Sequence, residues 1–283
     1  GGDCLDVLES LDSLQAAVVA DEVKKAEKSK KPKYHFDKLK MYFGRDITLH
    51  NVKISIPNIK DIIDIGESEF YSCASPFLNN PTSIRVLLYD AFHKDWTKTK
   101  DIEVFYILLQ TVKNKAPLKL LFKDLDFDNL KLVHGTKNID GQDTNCFVLV
   151  DPKQKLTIYE DDYAEIAEYI REMFHVHPKT EKGKGKTTKL WMLQEDRMKA
   201  VEEINKKKEN SSTLLSLVSS CVNHPGFKYK LEEIENINFY FFMDAVARIQ
   251  KYEQSNAALH GAFGGMISMK DLPQDLINYM SEL

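Results

Sequence analysis

The feature that most limits the fold is the stretch from Glu160 to Lys189, EDDYAEIAEYIREMFHVHPKTEKGKGKTTK. Tyr163, Ile166, Ala167, Ile170, Met173 and Phe174 recur at spacings of three and four, which puts them on one face of a helix. Glu165, Glu168, Arg171 and Glu172 take the opposite face. Asp162, with Glu165 three residues on, has the spacing of a capping box. Glu160 and Asp161 add negative charge where the helix dipole is positive. Pro178 stops the helix. Lys182, Lys184, Lys186 and Lys189 follow, spaced by Gly183 and Gly185. A basic arm of this composition, 179–189, buries little apolar surface and reads as a solvated, mobile tether.

This helix divides the pattern. Residues 4–30 read as a helix whose stripe includes Leu5, Leu8, Leu11, Leu14 and Val18, leading into a lysine-rich linker that ends near residue 37. LKMYF (39–43) and ITLHNVKISI (47–56) alternate apolar and polar residues, as strands do. Pro57 stands where a first helical residue often does, with Ile59, Ile62, Ile63 and Phe70 inward and Gly66 a weak point. SIRVLLYDAF, IEVFYILLQTV and LKLLFKDL read as further helices. Residues 129–159 read as an antiparallel meander with turns at Asp140-Gly141 and Asp151-Pro152. Beyond it the chain reads as helical: 187–208 with a thin stripe of Leu190, Leu193, Met198, Val201 and Ile204, then 213–222, LEEIENI, a long helix from Asn238 to Gly264-Gly265, and PQDLINYMSEL. The expectation is an α+β chain, predominantly α-helical, with small antiparallel strands in the N-terminal half and a helical C-terminal half. It divides into an N-terminal helix and linker (1–37), a mixed domain (38–160) and a helical region (161–283).

Composition narrows the function. With 283 residues and 43% hydrophobic content the chain has enough apolar mass for a core, and its modest net charge of -4 argues neither for a dedicated nucleic-acid binder nor for an acidic tail protein. Cys4, Cys73, Cys146 and Cys221 show no framework spacing and fit free thiols in a reducing compartment. No apolar run approaches the ~18 residues that a membrane span needs. The start, GGDCLDVLESLD, lacks the order of a signal peptide. The Gly-Gly beginning leaves open whether it is native, cleaved or a tag scar.

Sites with chemistry are scarce. Gly185-Lys186-Thr187 matches the end of a phosphate-binding P-loop, but position 180 is Thr where the loop needs Gly, and a helix precedes where a strand is needed. Cys221 and His224, with His175 and His177, number the four ligands that a zinc site needs, but they sit at two separate helix ends and no second Cys pair exists. His224 reads instead as a helix-terminus residue that caps carbonyls. Asp124, Asp126 and Asp128 open like a calcium loop without its Gly and Glu. The sequence therefore points to no catalytic residue, no metal and no cofactor. Nucleic-acid contact by the lysine clusters is the lesser reading, since no aromatic residues are interleaved with them.

Several stretches resemble a known family. They are Ile54 to Glu67 (ISIPNIKDIIDIGE), Tyr169 to Phe174, Ser219 to Lys228 (SSCVNHPGFK) and Phe242 to Gln250 (FMDAVARIQ). They resemble an uncharacterised protein encoded among the structural genes of tailed phages and prophages of low-GC Gram-positive bacteria, over roughly residues 38–283. The resemblance implies a non-enzymatic role in virion morphogenesis. It is similar to that of tail assembly chaperones, which hold the tape-measure protein before the tail tube polymerises. The implied partners are other phage structural or tail proteins, and a homo-oligomer is open. The implied location is the host cytoplasm during assembly, or the virion. The alternatives are a permanent subunit of the tail, baseplate or head–tail junction, and a nucleic-acid-binding or metal-dependent module. The partner-binding candidates are Leu5, Leu8, Leu11, Leu14, Val18, Leu190, Leu193 and Ile204, with Lys182, Lys184, Lys186 and Lys189 as the basic arm.

Overall fold

The structure, a computed structural model, describes residues 34–139, 142–206, 212–265 and 268–281, with residues 139 and 203–206 given as backbone alone. The chain divides into Gly1–Phe36 and Asp37–Leu283, and every described helix and strand belongs to the second unit. Leu5, Leu8, Leu11, Leu14 and Val18 lie outside the described residues.

The architecture is α+β and predominantly helical, with two small antiparallel sheets in the N-terminal half. Helix α1 (Lys38–Tyr42) comes first. It overturns the strand expected at LKMYF: Asp37 accepts from the Lys40 N–H and starts a helical turn, which five residues of alternation cannot signal. Strands β1 (Ile47–Leu49) and β2 (Val52–Ile54) form a hairpin, with Ile47 opposite Ile54. Its two turn residues, His50 and Asn51, both have positive φ, 50° and 66°, as a type I′ turn requires.

Helix α2 (Ile59–Ile65) is capped by Asn58 and Asp61 in a capping box, so Pro57 stands outside it and is not its first residue. The Pro57 carbonyl accepts instead from the Phe239 N–H. Gly66 has φ 101°, a conformation that favours glycine, and separates α2 from α3 (Glu67–Leu78). Helices α4 (Arg85–Phe92) and α5 (Asp101–Thr111) follow, then a 3-10 turn at Ala116–Leu120 where a helix from Pro117 was expected.

Strands β3 (Lys131–Ile139), β4 (Gln142–Asp151) and β5 (Leu156–Tyr159) form the meander in that order. The register pairs Leu132 with Leu149 and Leu149 with Ile158. β3 and β4 run further than the apolar alternation suggested, because Thr136, Lys137, Asn138, Asp143, Thr144 and Asn145 continue the ladder with polar side chains. The turn expected at Asp140-Gly141 lies outside the described residues.

Helix α6 (Glu160–Met173) leads straight out of β5 and packs on α3, α5, β1, β4 and β5. Its expected apolar face is buried as a block. No boundary between units falls at residue 160. Around α6 and α3 the aromatic rings interlock: Phe77 lies 4.7 Å from Phe105 and 5.2 Å from Phe122, and Phe174 lies 4.8 Å from Phe239. Each such side chain contributes about 1.5–3 kcal/mol by leaving water. Helices α7 (Lys186–Lys206), α8 (Thr213–Val222), α9 (Leu231–Ile234), α10 (Phe239–Phe263) and α11 (Gln274–Ile277) complete the fold. Phe239 and Phe242 of α10 are buried, whereas Met243, Val246 and Ile249 are only half-buried.

Two readings on α6 need correction. Asp162 lies inside the helix and caps nothing. It stands 3.3 Å from His50 Nδ1 and 3.2 Å from Lys137 Nζ, and Glu165 stands 2.8 Å from His50 Nε2. Arg171, expected on the solvated face, is 6% exposed. Its Nε donates to the Phe77 carbonyl at 3.0 Å, and its Nη2 donates to the Asn79 carbonyl at 2.8 Å and to Asp101 at 2.9 Å. It thereby satisfies carbonyls at the end of α3 that have no partner within that helix.

Candidate functional site

The basic arm is not a free tether. Asn80 Nδ2 donates to the Pro178 and Lys179 carbonyls at 3.3 and 3.1 Å. The Glu181 N–H donates to Thr82 Oγ1 at 3.1 Å, and Trp96 Nε1 donates to the Glu181 carbonyl at 3.2 Å. Arg85, 5% exposed, is the hub. Its Nε and Nη2 bind Asp196 at 2.6 and 2.7 Å, and its Nη1 binds Glu181 at 2.6 Å. These carboxylates hold the guanidinium above its usual pKa, with the Asp196 hydrogen bonds the largest cause. A bidentate arginine pair fixes direction as well as distance.

Lys189 is tied down as well. Its Nζ lies 2.6 Å from Asp95 and 2.9 Å from Thr97 Oγ1, and 5.6 Å from the Trp96 ring centre. Burial works to raise the Asp95 pKa, but the hydrogen bonds from Lys189 and Thr97 outweigh it and leave it lowered. Lys182, Lys184 and Lys186 are exposed, as expected. Leu193, expected to meet a partner, is fully buried and packs with Leu88, Trp96 and Val104. Ile204 belongs to α7, and its side chain falls outside the described residues.

The thin stripe expected on α7 therefore splits. Leu193 turns inward with Met192, while Leu190, Trp191, Met198 and Val201 turn outward, at 42%, 65%, 59% and 58% exposure. At 3.6 residues per turn those four lie within about 100° of arc. An outward apolar face on a charged helix is a place for another protein.

The first turn of α7 also walls one side of an open cleft of about 610 Å3. The other walls are Tyr89 at the end of α4 and the loop His93–Trp96. Gly185, φ 91°, leads into α7, and a side chain added there would meet nothing within 4 Å. The sequence marked Gly185-Lys186-Thr187 but gave no sign of Tyr89, His93 or Trp96, which lie about 90 residues away and reach the cleft only through the fold.

Among the described residues the histidines and cysteines do not converge. The His224 N–H donates to the Cys221 carbonyl at 3.0 Å, as expected of a residue at a helix terminus, while its ring Nε2 lies 3.0 Å from Glu253 and its Nδ1 accepts from the Gly226 N–H, closing the turn that follows. His175 stacks on Tyr240 at 5.1 Å, and burial pushes its pKa down. Cys221 is buried, which pushes its thiol pKa up. Among the described residues no group of three or more His, Cys, Asp or Glu is placed to hold a metal, and no helix is long and apolar enough to cross a membrane. No family model matches the chain, and neither the curated proteins nor the solved structures give a match.

Proposed function

We propose that this chain is a non-enzymatic morphogenesis protein of a tailed phage that binds other phage proteins during tail assembly, in the manner of a tail assembly chaperone. The observation that supports the reading is the outer face of α7. Leu190, Trp191, Met198 and Val201 stand in solvent on a helix whose other side is fixed by Leu193 and Arg85. A rigidly mounted apolar stripe binds a partner without first losing conformational freedom, which favours capture. The family resemblance supplies the phage context and the tape-measure protein as partner.

The test is co-expression with the tape-measure protein of the same gene module. Trp191→Glu together with Met198→Glu abolishes co-purification while circular dichroism stays unchanged. Retention of the partner by that variant would count against the α7 face. Mass spectrometry of purified particles separates the two assembly roles: a chaperone is absent from the particle, and a permanent subunit is present at fixed stoichiometry.

A further inference from the structure

The cleft at the start of α7 shares only Leu190 with the face used by the assembly reading, and its lining carries two kinds of chemistry. Tyr89, Trp96 and Leu190 supply apolar surface. Lys94, Lys186, Lys189 and His93 line the same cleft against one lining carboxylate, Asp95. That carboxylate is held by Lys189 and by Thr97. Lys94 pairs with Glu103. Among the described residues, Lys186 and His93 have neither a side-chain hydrogen bond nor an ion pair, and both line the cavity. A lysine and an imidazole without partners, lining one cleft, suit an oxyanion with several acceptor atoms. The aromatic and aliphatic wall suits a flat ring. The volume, about 610 Å3, lies in the range usual for small-molecule sites and is too confined for a folded partner.

We propose that this cleft binds a nucleoside phosphate, with the phosphates on Lys186 and His93 and the base against Tyr89 and Leu190. The amides of the first turn of α7 add donors on the phosphate side. No bond is broken in this proposal. Binding alone is claimed, because the P-loop arrangement that positions a phosphate for transfer is missing at Thr180 and in the helix that precedes the arm. The inference stands apart from the assembly reading, and either can fail without the other.

The chain has two tryptophans, Trp96 in the cleft and Trp191 outside it. Trp191→Phe in the full chain therefore leaves Trp96 as a sole reporter. ATP, adenosine, pyrophosphate and a single-stranded oligonucleotide are titrated against it, with calorimetry in parallel. The expected result is saturable ATP binding with Kd below about 1 mM, and weaker binding of adenosine and of pyrophosphate. Lys186→Ala weakens ATP about tenfold, as loss of a charge-assisted contact should, and His93→Ala weakens it less. Lys186 is exposed, so its removal leaves the fold intact. No saturable signal with ATP, or an unchanged affinity in Lys186→Ala, overturns the site. Pyrophosphate binding as tightly as ATP overturns the base contact. An oligonucleotide binding more tightly than ATP overturns the small-molecule occupant.

Discussion

Arg171 and Arg85 are both buried arginines, and they hold two regions of the molecule together in different ways. Arg171 sits in the aromatic core of α3, α5 and α6, where its main partners are backbone carbonyls. Arg85 sits where the 178–185 segment and α7 attach to α4, and its partners are two carboxylates on elements that reach solvent. Around Arg171 the packing is aromatic and continuous. Around Arg85 a small apolar cluster that includes Leu193 and Trp96 is ringed by ion pairs, Lys189 with Asp95 and Arg197 with Asp90 among them. The contrast teaches that the core is fixed by burial, whereas the attachment of α7 is fixed largely by charge. Only the second should yield to salt or acid, through its exposed pairs such as Arg197 with Asp90, since exposed ion pairs are screened and buried contacts far less so.

The largest expected effect is on Arg171. Arg171→Ala strands two carbonyls and the Asp101 contact, and costs about 3–5 kcal/mol in global stability by denaturant titration. A loss within about 1 kcal/mol of zero, near the noise of surface substitutions, would break the contrast from the core side. Next is Arg85→Ala, which frees Asp196 and Glu181 to water and costs about 2 kcal/mol. Its signature is local: hydrogen exchange rises in α7 and 178–185 while α3 and α6 stay protected, and raising salt in the native protein shifts exchange the same way. Equal exchange in α6 would merge the two regions into one. The smallest effect is on Asp95. Its folded pKa is lowered, so its contribution is complete above the unfolded value of 3.8 and is lost as pH falls through the folded one. Exchange in the first turn of α7 therefore rises on acidification, and Asp95→Asn removes that pH dependence. An Asp95→Asn protein with the native pH profile would assign the acid response to other groups.

The same contrast explains what the sequence made legible. The apolar face of α6 is local, six residues at helical spacing, and all six are buried, with Tyr169 and Arg171 in addition. The meander and α10 were likewise visible from short-range pattern. The position of Arg171 was not, because its partners Phe77, Asn79 and Asp101 lie 70 or more residues away. The arm misled for the same reason: its lysines and two glycines describe a tether, and only Asn80, Thr82, Arg85 and Trp96, which are remote in sequence, make it a strap. Leu193 belonged to a stripe too thin to tell an inner face from an outer one. Of the candidate cleft, Lys186 and Lys189 stood out in the sequence, and the loop facing them did not.

The junction between α2 and α10 governs how the molecule is made. Phe239 donates to the Pro57 carbonyl at 2.8 Å, Ile59 donates to the Ile237 carbonyl at 3.0 Å, and Asn238 pairs with Asn58 in an isolated antiparallel bridge. A chain growing from the ribosome holds the first half of that junction open until some 180 further residues have emerged. Phe239 and Phe242 are also missing from the aromatic core until then. Closure of the core is thus a late event in synthesis, and a nascent chain stalled before residue 239 presents Phe70 and Phe174 without their final lid.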